Sequence, residues 1–95
     1  MPSGKLRKAL RAAGHHLAPV VQVGKEGVTG AVLRQVGQAL LDHELVKVKV
    51  GTESPSHRFE AAERFAESGA SVAQILGRTI LLYRKHPKQP RFEAP

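Results

Sequence analysis

Residues 20–29, VVQVGKEGVT, demand three kinds of backbone in quick succession. The β-branched run Val20-Val21-Gln22-Val23 reads as a short strand. Gly24-Lys25-Glu26-Gly27 interrupts it, and Thr29 is a good N-cap for a helix that follows. Glycines admit positive φ and let another backbone come close, because no Cβ stands in the way. A loop feeding a helix start presents amides without intrahelical partners and the positive end of the helix dipole. Lys25 adds a full charge at its tip. Such a place can seat a phosphate. A plain strand-to-helix turn needing two flexible residues satisfies the same pattern, so the rest of the chain has to decide.

The frame is small. Ninety-five residues make one domain without room for a second core. The absence of cysteine removes disulfides and Cys-based zinc sites and implies no oxidising compartment, so the expected location is cytoplasmic. No apolar run approaches the ~20 residues that span a bilayer, and Lys5, Arg7, Lys8 and Arg11 interrupt any signal-peptide core. Fifteen Lys and Arg against eight Asp and Glu leave a formal charge of +7. That excess favours a polyanionic partner, nucleic acid or an anionic membrane surface. It is also uneven, since the first carboxylate is Glu26.

Ser3 is placed to cap a first helix over about 4–13, stopped by Gly14, with Leu6, Leu10 and Ala13 as a narrow apolar stripe. Lys5, Arg7, Lys8 and Arg11 fill its other faces without alternating carboxylates, which favours contact with phosphates over mere solvation. The same acid-free helix also fits a mitochondrial presequence, although its removal would leave little domain behind. His15-His16 is a connector pair with poor metal-ligand spacing. The main core helix runs over about 29–43, with Val32, Leu33, Val36, Ala39, Leu40 and Leu41 inward and Arg34, Gln35, Gln38 and Asp42 outward.

Residues 45–50, LVKVKV, alternate as a half-buried strand does. Val46, Val48 and Val50 then face the core while Leu45, Lys47 and Lys49 face away. The two lysines serve either as edge protection or as part of a phosphate surface. After a turn-rich loop containing Pro55, a third helix is expected over about 56–68, with Phe59, Ala62 and Ala66 on one face, Phe65 nearby, and Glu60, Glu63 and Glu67 on an acidic side. Segments 71–76 and 79–84 flank Gly77-Arg78, a two-residue hairpin signal that puts Arg78 at the tip. Tyr83 reads as a sheet residue. Residues 85–95, with three prolines and mixed charge, are expected to be loose, leaving 1–85 as the domain. The element order is α-β-α-β-α-β-β, which makes a single α/β domain with a mixed four-stranded sheet.

No nucleophile–base motif, Walker A loop or dinucleotide fingerprint is present, so neither an enzyme nor a cofactor is expected. His43-Glu44 reads as a helix-end pair.

Three blocks, HHLAPVVQVGKEGVT, LLDHELVKVKV and ILGRTILLYR, resemble in order the YhbY family, stand-alone versions of the CRM (chloroplast RNA splicing and ribosome maturation) domain. The resemblance spans about residues 5–85. It implies a fold like the C-terminal domain of the third bacterial translation initiation factor. It also implies non-catalytic RNA binding in association with precursors of the large ribosomal subunit. The family's Gly-x-x-Gly loop, compared with that of KH domains, corresponds to Gly24, Lys25, Glu26 and Gly27. In KH modules such a loop clamps the nucleic-acid backbone. Glu26 departs from a purely basic loop, offsets Lys25 and shifts the contact toward backbone amides. The loop between the second strand and third helix is unlike the family's, and no function is transferred there.

The expected RNA-binding set is therefore Gly24, Lys25, Glu26, Gly27 and Thr29, broadened by Lys5, Lys8, Arg11, Lys47, Lys49, Arg78 and Arg84. The protein is expected to act as a monomer on ribosomal RNA, away from membranes. With one Tyr, three Phe and no Trp, base stacking is expected to be minor. The alternatives are a protein–protein adaptor whose charge is for solubility, a nucleic-acid hydrolase, and a membrane-surface role for the first helix. The last is disfavoured by a short apolar stripe without aromatic anchors.

Overall fold

The computed structural model describes residues 4–54 and 57–92. The Ser3 cap, Pro55 and the Ser56 helix start lie outside them. The order is α1 (Gly4–Gly14), β1 (Val21–Val23), α2 (Gly30–His43), β2 (Leu45–Val50), α3 (Arg58–Glu67), β3 (Ser71–Leu76) and β4 (Thr79–Tyr83). Each element follows from the local pattern that announces it, and the mixed four-stranded sheet stands as expected. Its strand order is β1-β2-β4-β3. β1 and β2 are parallel across the α2 crossover, with Val21 opposite Val48 and Val23 opposite Val50. The hairpin's second strand, β4, enters between β2 and β3 and is antiparallel to both.

That central place explains the residues of β4. Ile80, Leu81, Leu82 and Tyr83 are all buried, because helices cover both faces of the sheet. On one face, α2 and α3 pack Val36, Leu40, Ala61, Ala62 and Phe65 onto Val46, Val48, Val50, Ile80 and Leu82. On the other, α1 lays Leu6 and Leu10 across Leu45, Ala73, Leu81 and Tyr83. The alternation of β2 predicts Leu45 to face away from the α2 core, and it does. It is nevertheless only 4 % exposed, because α1 lies on it. Gly14 lets α1 come this close: a Cβ there would stand 2.7 Å from Leu81 Cδ2.

Two helix faces differ from the periodicity. Leu41 is half exposed, while Val32, Leu33 and Ala39 pack at the margin of the core around buried Val36 and Leu40. In α3 the row that packs is Ala61, Ala62 and Phe65, while Phe59 is exposed and Ala66 faces solvent. The small Ala61 and Ala62 bring the helix near the sheet and leave Phe65 the space beneath it.

Of the segment expected to be loose, the described residues 85–92 are held to the domain. Glu44, 2 % exposed, ends α2 at φ 67 and is the one buried charged side chain among the described residues. Its carboxylate accepts backbone N–H groups from His86 (3.0 Å), Arg91 (3.0 Å) and Phe92 (2.8 Å). Phe92 meets Tyr83 edge-on at 6.3 Å, and its carbonyl accepts the Tyr83 hydroxyl at 3.0 Å. Composition reports Pro and charge, but a buried acceptor on another element decides whether such a segment docks. Burial alone would push the Glu44 carboxyl up. The bonds from Phe92, Arg91 and His86, with the nearby His86 ring, outweigh it and hold the pKa below the ordinary 4.5.

Candidate nucleic-acid interface

The loop after β1 is a tight turn: Gly27 N–H donates to the Gly24 carbonyl at 3.0 Å. Its two glycines have different reasons. Gly27 sits at φ 76, a conformation that costs a side chain about 1–2 kcal/mol. Gly24 has no positive φ, and a Cβ there would meet nothing within 4 Å. Neither backbone conformation nor packing within the fold requires glycine at Gly24. Lys25 and Glu26 are exposed at the tip, and Val28 then re-enters the core.

Thr29 caps α2 as its residue type and position predict. Its hydroxyl oxygen accepts the Val32 N–H at 3.2 Å, and its carbonyl accepts the Leu33 N–H at 3.0 Å. Gly30 and Ala31 open the helix and are solvent-exposed, so their leading amides stand at its positive end.

Three other segments reach this end of the sheet. Gly51 donates its N–H to the Val23 carbonyl at 2.9 Å, tying the loop after β2 to the end of β1. The hairpin tip joins through the Val50 N–H, which donates to the Arg78 carbonyl at 2.7 Å. Gly77 holds φ 58, the positive value its first-position role in the tip requires. Exposed Lys49 lies one residue before Val50. Arg34, assigned only to an outward face by periodicity, curls back over the helix start, with Nη1 3.4 Å from where a Gly30 Cβ would stand. Its spacing of four from Gly30, one helical turn, was the available signal. Lys25, Arg34 and Arg78 are thus carried at the same end of the sheet as the Gly24–Gly27 turn, and Lys49 reaches that end from the sheet face that α1 covers.

The remaining candidates are elsewhere. Lys5, Lys8 and Arg11 are exposed on α1, which covers the opposite sheet face from α2. Lys47 is half-buried beside Gly14 and His15. Arg84 is at the far end of the sheet, where its guanidinium donates to the carbonyls of Ser68 (3.2 Å) and Gly69 (3.4 Å) after α3. It is committed to the turn between α3 and β3, a bond sequence spacing could not reveal. Among the described residues no three His, Cys, Asp or Glu gather as a metal site, and no helix is long and apolar enough to cross a membrane.

The chain is similar to known proteins over its whole length. It is 35 % identical to "Probable RNA-binding protein YqeI" of Bacillus subtilis, covering 100 % of both chains. It is 41 % identical to "Probable RNA-binding protein PA4753" of Pseudomonas aeruginosa, over 86 % of this chain and 80 % of that one. The solution structure of SAV1595 from Staphylococcus aureus superposes with a TM-score of 0.83 at 30 % identity, covering 100 % of each. The model of the CRS1/YhbY (CRM) domain matches residues 3–84. With the sheet order, the glycine turn and the capped α2 all in hand, the chain belongs to the CRS1/YhbY (CRM) domain family.

Proposed function

We propose that this protein is a non-catalytic RNA-binding module that grips backbone phosphates at the Gly24–Gly27 turn and acts in assembly of the large ribosomal subunit. The observation that carries the reading is the convergence on one sheet end of an open Gly24, the start of α2 and four cations. Relatives named for RNA binding support RNA as the polyanion. The turn supplies amides and the helix dipole, while Lys25, Arg34, Lys49 and Arg78 supply charge. Such contacts position a strand and specify little sequence. The sequence carries no recognised nucleophile–base motif that would point to another role, and the reading takes the protein as a monomer in the cytoplasm. The α1 cations widen the charged surface on another face and engage RNA only if it wraps the domain.

The test is sedimentation of the protein from a cell lysate on a low-magnesium sucrose gradient, with and without nuclease. The expected result is co-migration with large-subunit precursors, lost on nuclease treatment and on Gly24→Asp. Migration at the top of the gradient, indifferent to nuclease, would favour a protein–protein adaptor instead.

A further inference from the structure

Phe59 is 56 % exposed at the start of α3, while Phe65 of the same helix is fully buried. More than half of an apolar ring is thus left in water, where its burial would be favourable. The ring is nonetheless held in place. His57 caps the helix through Nδ1, which accepts the Phe59 N–H at 3.3 Å, and this bond orients the imidazole. The two rings stack with centroids 5.2 Å apart and planes 30° apart. The Arg58 guanidinium lies 4.9 Å from the Phe59 ring centre. Three planar groups, one of them a cation, are thus assembled on one exposed helix start.

The helix direction puts this cluster on the glycine-turn side. The end of α3 is fixed beside Arg84 through Ser68 and Gly69, and the chain passes directly into β3 there. A helix of α3's length runs back about 15 Å along the sheet. Its start therefore lies at the end of the sheet that carries the hairpin tip and the Gly24–Gly27 turn, near the β3 edge, with β4 and β2 between it and β1. The loop leaving Val50 arrives at the same place.

We propose that His57, Arg58 and Phe59 form a stacking site for an unpaired nucleobase of the strand whose phosphates the glycine turn holds. This rests on the RNA reading above and deepens it. The chemistry favours a base over an apolar protein side chain. A base has a flat π face that extends a ring stack, and its phosphates answer the charge of Arg58 and Arg78. Single-strand binders pair these two elements, a cationic track and aromatic stacking. RNA bases likewise stack on aromatic rings and guanidinium planes. The small count of aromatic residues suggests little stacking, but one exposed and oriented ring suffices for one base.

The experiment measures binding of the full chain to a single-stranded RNA carrying 2-aminopurine and to an abasic strand of equal length. Wild type, Phe59→Ala and Phe59→Trp are compared. The expected result is about a 10-fold loss on the base-containing strand for Phe59→Ala, within the range of one stacked base, with loss of 2-aminopurine quenching. The abasic strand should bind both proteins alike, and Phe59→Trp should restore affinity and show tryptophan quenching. Equal binding of the base-containing strand by wild type and Phe59→Ala overturns the stacking site and leaves the phosphate reading intact. Failure of the wild type to bind either strand overturns both. Because Phe59 packs outside the core, its variants should unfold at the wild-type midpoint, which separates loss of stacking from loss of fold.

Discussion

The Glu44 carboxylate and the Phe92 backbone N–H meet at 2.8 Å across 48 positions of sequence. Together with the bonds from His86 and Arg91, this fastens residues 86–92 to the end of α2. Glu44→Ala strands three backbone donors and should cost about 2–3 kcal/mol in urea unfolding. Glu44→Gln keeps one acceptor oxygen and should cost less.

Acid should act through the same carboxylate. Its folded pKa is below the ordinary 4.5, so its stabilisation is complete above that value. It is lost as pH falls from there through the lowered folded pKa. Unfolding midpoints measured across this window should fall more steeply for wild type than for Glu44→Gln, which has no proton to take up. Parallel slopes would remove Glu44 as the acid-sensitive group.

The two loop glycines should separate fold from binding. Gly27→Ala forces a side chain to φ 76 and should lower stability by about 1–2 kcal/mol. Gly24→Ala meets nothing within the protein and should leave the unfolding midpoint unchanged. Gly24→Asp should instead weaken RNA binding, because it sets bulk and negative charge where the phosphate would approach. Circular dichroism melts and filter binding on the same variants would decide.

Salt should divide the cations. For ~4 phosphate contacts on a single strand, the log–log slope of affinity against salt is about −3. Lys25→Ala, Arg34→Ala or Arg78→Ala should each reduce its magnitude by about 0.7. Arg84→Ala should leave the slope unchanged and lower stability by about 1 kcal/mol, since its bonds go to Ser68 and Gly69. A wild-type slope near zero would contradict electrostatic binding altogether.

Close packing of α1 gives a fifth expectation. Gly14→Val would drive a branched side chain into buried Leu81 and should cost roughly 1–3 kcal/mol by overpacking. Thermal unfolding would register it without any change in the glycine turn.

By itself the sequence determined the elements and much of their order. Val-Lys alternation specified β2, Thr29 the start of α2, and Gly77-Arg78 the hairpin. These are properties of neighbouring residues, and backbone geometry acts over the same few positions. Tertiary structure alone decided what each face meets. Leu45 is buried because α1 crosses it, β4 is apolar on both faces because it enters the middle of the sheet, and Phe59 is exposed because Ala61, Ala62 and Phe65 take the core side. The same holds for the site: the Gly24–Gly27 turn is local and legible, whereas Arg34 joining it and Arg84 leaving it depend on elements brought together by the fold. Periodicity tells a side chain which way to point; only packing across distant segments, where apolar burial is won or lost, determines what lies there.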